Sequence, residues 1–201
     1  ARTCCTSFSG ICGAKRPQIS EKRKEIELAQ DNPLRYNYKM DIDWKLYKEE
    51  AGMRRIGMLT SGGDCQALNA TMRGVAKSLY NMFDDVEIIG FEDGYKGLMY
   101  ADYQIMKPSD FSGILTEGGT ILGTSRQPFK LMRVPDENGL DKVESMKHTY
   151  KKLKLNCLVV LGGNGSQKTA NLLSEEGLNV VSLPKTIDND LWGTDMTFGF
   201  Q

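Results

Sequence analysis

Three apolar runs in this chain each end abruptly in a polar turn, and that pattern restricts the fold. Arg55–Leu59 (RIGML) leads into Ser61–Asp64 (SGGD), Asn156–Leu161 (NCLVVL) into Gly162–Ser166 (GGNGS), and Leu178–Leu183 into Pro184–Asp190 (PKTIDND). Each run is short and dominated by apolar residues, as expected of a buried strand. Between them lie stretches with helical spacing. Leu68, Met72, Val75 and Leu79 fall on one helical face, predicting a helix over Ala67–Met82. Leu140–Leu153 and Gln167–Glu176 read as further helices, and Val86–Phe91 as another strand. Ser109–Leu115 reads as a short helix capped by Ser109, and Gly118–Arg126 (GGTILGTSR) as a glycine-punctuated loop around a short strand. Strands alternating with helices predict an α/β fold with a doubly wound parallel sheet. Ligands of such sheets bind outside the carboxyl ends of the strands, where all three polar turns fall.

Residues 1–52 are unlike the rest. They show no regular hydrophobic period and read as an N-terminal extension, with residues 53–201 as the domain. Glu21–Gln30 is charged and helix-prone and would stop at Asn32-Pro33, while Asp41–Ala51, with Trp44, Leu46 and Tyr47, is a candidate second helix. The first twenty residues hold Ser, Thr and Arg without acids, as transit peptides do, but their Gly and Cys content favours a peripheral extension. Lys+Arg and Asp+Glu both number 26, which leaves no basic excess to draw nucleic acid or an anionic membrane. No apolar run approaches the ~20 residues of a membrane span. Five cysteines without metal-type spacing and a single histidine, His148, argue against a zinc site and for reduced thiols in a cytoplasmic protein.

The turns carry the chemistry. SGGD and GGNGS each join a strand to a helix, where glycine lets an anion approach free amides and the helix dipole favours it. Neither turn has the GxGxxG or GxxxxGK[ST] spacing, and either alone also fits a plain tight connection. Ser166 is placed to cap the following helix and to offer its hydroxyl to a phosphate. Arg126 could fork onto phosphoryl oxygens or simply sit in solvent, and Lys185 has the same two readings. Asp188 and Asp190, two apart, would share a face in extended chain. One could accept a proton while the other helps hold a metal, or the segment could be a hydrated turn.

Taken in order, TSGGDCQALNA, GGTILGTSR, LGGNGSQKTA and PKTIDNDLWGTDMTFGF resemble the N-terminal part of a 6-phosphofructokinase, from Arg55 to Gln201. The resemblance implies phosphoryl transfer to the 1-hydroxyl of fructose 6-phosphate, in glycolysis, by a cytoplasmic, magnesium-using, allosteric homo-oligomer. It implies Asp188 as the proton acceptor, with Thr186 and Ile187 in the same substrate-contacting segment. Gly63, Arg126, Gln127, Gly163, Asn164, Gly165 and Ser166 match the donor positions, and Arg126 would also stabilise the transferring charge. Three departures bear on these roles. Asn164 stands where many ATP-dependent members have a magnesium-associated aspartate, so Mg²⁺ would lean on donor phosphates, water and Asp190. Gln66–Leu68 (QAL) replaces a proline-glycine turn. Lys185 resembles the pyrophosphate-dependent and mixed-substrate branches, whereas Gly165 resembles the ATP users. ATP is therefore the expected donor, with pyrophosphate as the alternative. A further alternative is a non-catalytic, truncated or regulatory nucleotide-binding chain. An NAD-kinase-like enzyme shares the glycine-turn logic but lacks PKTIDND. The family's later sugar-phosphate segment is expected to be missing after Gln201. The fold is thus expected to be incomplete at its C-terminus, and the 201 residues alone are expected to be inactive and prone to associate.

Overall fold

The computed structural model describes residues 52–200. The two helices anticipated before Met53 lie outside them. Five strands form one sheet in the order β3-β2-β1-β4-β5. They are β1 (Arg54–Ser61), β2 (Val86–Phe91), β3 (Tyr103–Met106), β4 (Cys157–Gly162) and β5 (Val180–Pro184). β1 pairs in parallel with both β2 and β4, and β4 with β5. β3 is the exception, running antiparallel to β2 with Phe91 opposite Tyr103. The sheet is therefore mixed and mostly parallel. Sequence periodicity gave no warning of β3, because Tyr103, Gln104 and Ile105 are all exposed and only Met106 is buried.

Helices cover both faces. On one face α1 (Ala67–Met82) lays Leu68, Met72 and Ala76 against Ile56 and Met58 of β1, Ile88 of β2, and Val159 and Leu161 of β4. On the other, Leu59, Ile89, Phe91, Leu158 and Val160 meet α2 (Tyr95–Tyr100), α3 (Lys142–Lys152) and α4 (Asn164–Glu175). Alternate residues of β1 and β4 thus serve opposite cores, which explains the unbroken apolar stretches Ile56–Leu59 and Cys157–Leu161, whereas β5, expected to be buried, is only partly covered and leaves Val181 exposed. α3 starts where the Asp141 carboxylate accepts the amides of Val143 and Glu144, at 3.0 and 3.1 Å, two residues later than periodicity predicts.

Two local expectations are corrected. Ser109 caps no helix: Pro108 occupies the first position of a single 3₁₀ turn, Pro108–Phe111, whose start is Lys107, and Asp110 accepts the Lys107 amide at 2.7 Å. Gly113, at φ +86°, separates it from a second short turn, Ile114–Thr116. The Thr120–Leu122 segment is a turn rather than a strand. Its polar groups are taken by side chains instead of a neighbouring strand: buried Asn69 of α1 accepts the Ile121 amide at 2.8 Å and donates to the carbonyls of Glu117 and Gly118.

The compact α2 connection between β2 and β3 depends on Gly97. A Cβ there would lie 2.2 Å from the Glu92 carbonyl oxygen and 2.6 Å from that of Asp102, both backbone atoms that cannot step aside. Gly97→Ala is expected to destabilise the protein by about 3 kcal/mol through this overpacking. A lower denaturant midpoint with unchanged slope would show it, and an unchanged midpoint would contradict the packing described.

Candidate active site

The carboxyl ends of β1, β4 and β5 open into one cleft of about 610 Å³. Its walls are Ser61–Cys65 after β1, Gly163–Ser166 after β4, Lys185–Asp188 after β5, and Arg126–Phe129 from the loop that precedes α3. Adjacent parallel strands bring these distant segments together, because β1 and β4 end in register, Ser61 opposite Gly162, and β4 and β5 likewise, Gly162 opposite Pro184. Among the residues singled out from sequence, the cleft collects Gly63, Arg126, Gln127, Gly163, Asn164, Gly165, Ser166, Lys185, Thr186, Ile187 and Asp188.

The second glycine turn differs in detail from its sequence description. α4 begins at Asn164, three residues earlier than expected, with extended Gly163 as the N-cap. The first amide of this turn to find a helical partner is Gln167, whose N–H reaches the Gly163 carbonyl at 2.9 Å. The amides of Asn164, Gly165 and Ser166 are therefore the partnerless ones at the positive end of the helix, in the wall of the cleft. Ser166 does not cap the helix. It is buried inside the first turn, and its hydroxyl donates to the Ser61 hydroxyl at 2.9 Å, while its carbonyl accepts from the buried Tyr95 hydroxyl at 2.8 Å. Ser166 thus fastens the second glycine turn to the first. The contact is tight: a Cβ on Gly162 would come within 2.4 Å of Ser166 Cβ. Gly165 is the opposite case, since a Cβ there would meet nothing within 4 Å.

Lys185 is not solvated. Only 4% of it is exposed, and its ammonium donates to the Gly63 carbonyl, linking the end of β5 to the first turn. Burial pushes its pKa below the ordinary lysine value. The neighbouring Cys65 and Asp64 oppose that shift, and the Arg126 guanidinium adds to it. Arg126 is exposed across the cleft mouth, with Nη2 3.8 Å from where a Gly63 Cβ would stand.

Asp188 and Asp190 do not share a face. The backbone between them is not extended: Asn189 adopts φ +50°, and its side chain bonds across the loop, accepting the Thr197 amide at 2.9 Å and donating to the Asp195 carbonyl at 3.1 Å. Asp188 lines the main cleft, whereas Asp190 lines a neighbouring cavity of about 410 Å³ with Leu191–Thr194, and Asn164 borders both. Thr186 shapes the turn, its hydroxyl accepting the Asp188 amide at 3.2 Å. The chain then folds back, with Thr186 N–H on the Phe198 carbonyl at 3.1 Å and Phe198 N–H on the Pro184 carbonyl at 2.9 Å. Asn189 was passed over in the sequence because its partners lie six and eight residues downstream. Asp64 and Cys65 also enter the cleft wall, and only Asp64's place at the end of SGGD pointed to it.

Among the described residues no three His, Cys, Asp or Glu side chains cluster as a metal cage, and no helix is long and apolar enough to cross a membrane. Of the two residues expected beside magnesium, only Asn164 reaches the main cleft, while Asp190 lies in the neighbouring cavity that Asn164 also borders.

A phosphofructokinase family model matches residues 55–201. An ATP-dependent 6-phosphofructokinase of Spirochaeta thermophila is 58% identical over 154 residues, which cover 73% of this chain and 41% of that protein. ATP-dependent 6-phosphofructokinase 3 of Bacteroides thetaiotaomicron is 48% identical over 147 residues, 73% of this chain and 43% of its own length. The chain thus spans about two fifths of the length of these curated relatives. Among solved structures, phosphofructokinase from Saccharomyces cerevisiae superposes with a TM-score of 0.64 at 28% identity, covering 73% of this chain and 22% of that one. The pyrophosphate-dependent phosphofructokinase of Marinobacter aquaeolei shares the fold at a TM-score of 0.60 and 20% identity, covering 74% of this chain and 37% of its own.

Proposed function

This chain belongs to the phosphofructokinase family, and we propose that it supplies the phosphoryl-donor site and the proton acceptor for transfer from ATP to the 1-hydroxyl of fructose 6-phosphate. The observation that carries this reading is the meeting of both glycine turns, Arg126 and Asp188 around one cleft. Partnerless amides at the start of α4 and the exposed Gly63 suit the donor phosphates. Arg126, at the mouth, offers a planar fork to the charge that grows on the transferring group. Asp188 takes the proton as the sugar hydroxyl forms its bond to the γ-phosphorus and the bond to ADP breaks. Thr186 holds the Asp188 backbone, and Ile187 and Thr186 lie beside the acceptor. Magnesium would lean on the donor phosphates and water, with Asn164 as the nearest protein amide and Asp190 one cavity away, and would supply positive charge for phosphoryl transfer.

ATP is favoured over pyrophosphate because Gly165 faces open space, leaving room beside the donor where a side chain would intrude. Lys185, buried on the Gly63 carbonyl, adds positive charge behind the same phosphates and is compatible with some pyrophosphate use. Cytoplasmic location, a homo-oligomeric assembly, allosteric control and a place in glycolysis belong to the same proposal. Incubating the natural-length protein with fructose 6-phosphate and either donor, and measuring fructose 1,6-bisphosphate, tests it. Product with ATP at a rate well above pyrophosphate is the expected result. No product with either donor would leave the alternative of a nucleotide-binding chain without transfer activity.

A further inference from the structure

We propose that Thr124 is a positioning residue for phosphoryl transfer. Its hydroxyl couples the loop carrying Arg126 to the first glycine turn, so that Arg126 and the Gly63 amide meet the donor as one rigid unit. The inference rests on the reading that the cleft binds a phosphoryl donor.

Thr124 Oγ1 donates to the Gly62 carbonyl at 2.7 Å, and the Gly62 N–H returns a bond to the Ser125 carbonyl at 3.3 Å. Both backbone groups of Gly62 are thereby committed to the two residues preceding Arg126. Gly62 sits at φ +87°, a conformation that nothing but glycine adopts readily, so the peptide that follows it needs an external hold to fix its orientation. In a trans peptide the Gly62 carbonyl and the Gly63 N–H point in opposite directions. Tying the carbonyl to Thr124, which is not part of the cleft wall, turns the Gly63 N–H away from that anchor. Among the described residues this N–H donates to no protein acceptor. The next carbonyl, on Gly63, is held independently by Lys185. The turn is therefore clamped at consecutive carbonyls, leaving an amide free between the clamps.

The loop side is equally fixed. Buried Thr60 of β1 donates to the Gly123 carbonyl at 2.6 Å, its oxygen also lies 2.9 Å from the Thr120 hydroxyl, and the Ser125 hydroxyl donates to the Asp93 carbonyl. Arg126 follows directly from this anchored stretch. Without the Thr124 hydroxyl, the loop keeps its attachment to β1 but loses its direct side-chain bond to the turn. Small errors in placing charge-stabilising groups are costly in phosphoryl transfer, which relies mainly on positioning.

The test uses Thr124→Val, which removes the hydroxyl and keeps the volume, beside Thr124→Ser, which keeps the hydroxyl. In the natural-length protein, Thr124→Val is expected to lower kcat about 10- to 100-fold while leaving KM for fructose 6-phosphate within about 2-fold. Thr124→Ser is expected to stay within about 3-fold of the wild type. In an Arg126→Ala background the Thr124→Val penalty should shrink, because the two residues act together. Equal activity of Thr124→Val and wild type would overturn the proposal, as would a Thr124→Ser variant as impaired as Thr124→Val, or penalties that simply multiply. If the valine variant does not fold, Thr124→Ala carries the same comparison. If the wild type transfers no phosphoryl group, the functional reading fails separately. Calorimetric titration with ATP and with pyrophosphate then decides the coupling: weaker binding by the hydroxyl-free variant, restored by serine, supports it, and equal binding overturns it.

Discussion

Asp188→Asn is expected to lower turnover at least ~10²-fold while leaving both substrates bound, because it removes the proton acceptor and keeps the side chain's shape. The loop gives this substitution a clean reading. The Asp188 amide is held by the Thr186 hydroxyl, and the turn is locked by Asn189 onto Thr197 and Asp195, none of which depends on the Asp188 carboxylate. Steady-state kinetics on the natural-length protein should therefore show a fall in kcat with little change in either KM. Near-normal turnover would remove Asp188 from the chemistry and leave the carboxylate as a solvated loop residue.

The second large effect concerns the donor. A side chain at Gly165 has open space to enter, so Gly165→Asp costs nothing in packing and its effect must come from what it does in the cleft. There it adds bulk and a negative charge beside the phosphates, at the free end of α4. It is expected to lower kcat/KM for ATP about 100-fold, and for the smaller pyrophosphate by less than about 10-fold. Measuring initial rates with both donors gives the ratio. Equal losses with both would show that Gly165 does not select between them.

Most of the architecture was legible because the chain's strongest signals are local. β1, β2, β4 and β5 are short segments built around apolar residues, and α1 shows its buried face at regular spacing. The elements that escaped are those whose partners are distant. β3 joins the edge of the sheet through backbone bonds to β2 while exposing three of its four side chains. α2 is six residues long, too short to display a period. The Thr120–Leu122 turn looked like a strand by composition, but Asn69, some fifty residues earlier, takes its hydrogen bonds. The site divides in the same way. The glycine turns and the aspartate segment are visible as residue types at strand ends, whereas the connections that hold them, Ser166 to Ser61, Lys185 to Gly63 and Thr124 to Gly62, span 62 to 122 residues and exist only once the sheet is assembled. Asp190 illustrates the limit: two-residue spacing places it beside Asp188 only if the backbone is extended, and the left-handed Asn189 sends it to the next cavity.

The central claim is that the three strand ends form one phosphoryl-transfer site, and a structure of the natural-length protein with a non-hydrolysable ATP analogue and fructose 6-phosphate tests it most directly. The account predicts the phosphates against Gly63 and the amides of Asn164–Ser166, Arg126 on the terminal phosphate, and the Asp188 carboxylate within ~3.2 Å of the sugar's 1-hydroxyl. Phosphates bound elsewhere, or a sugar hydroxyl beyond the reach of Asp188, would contradict it.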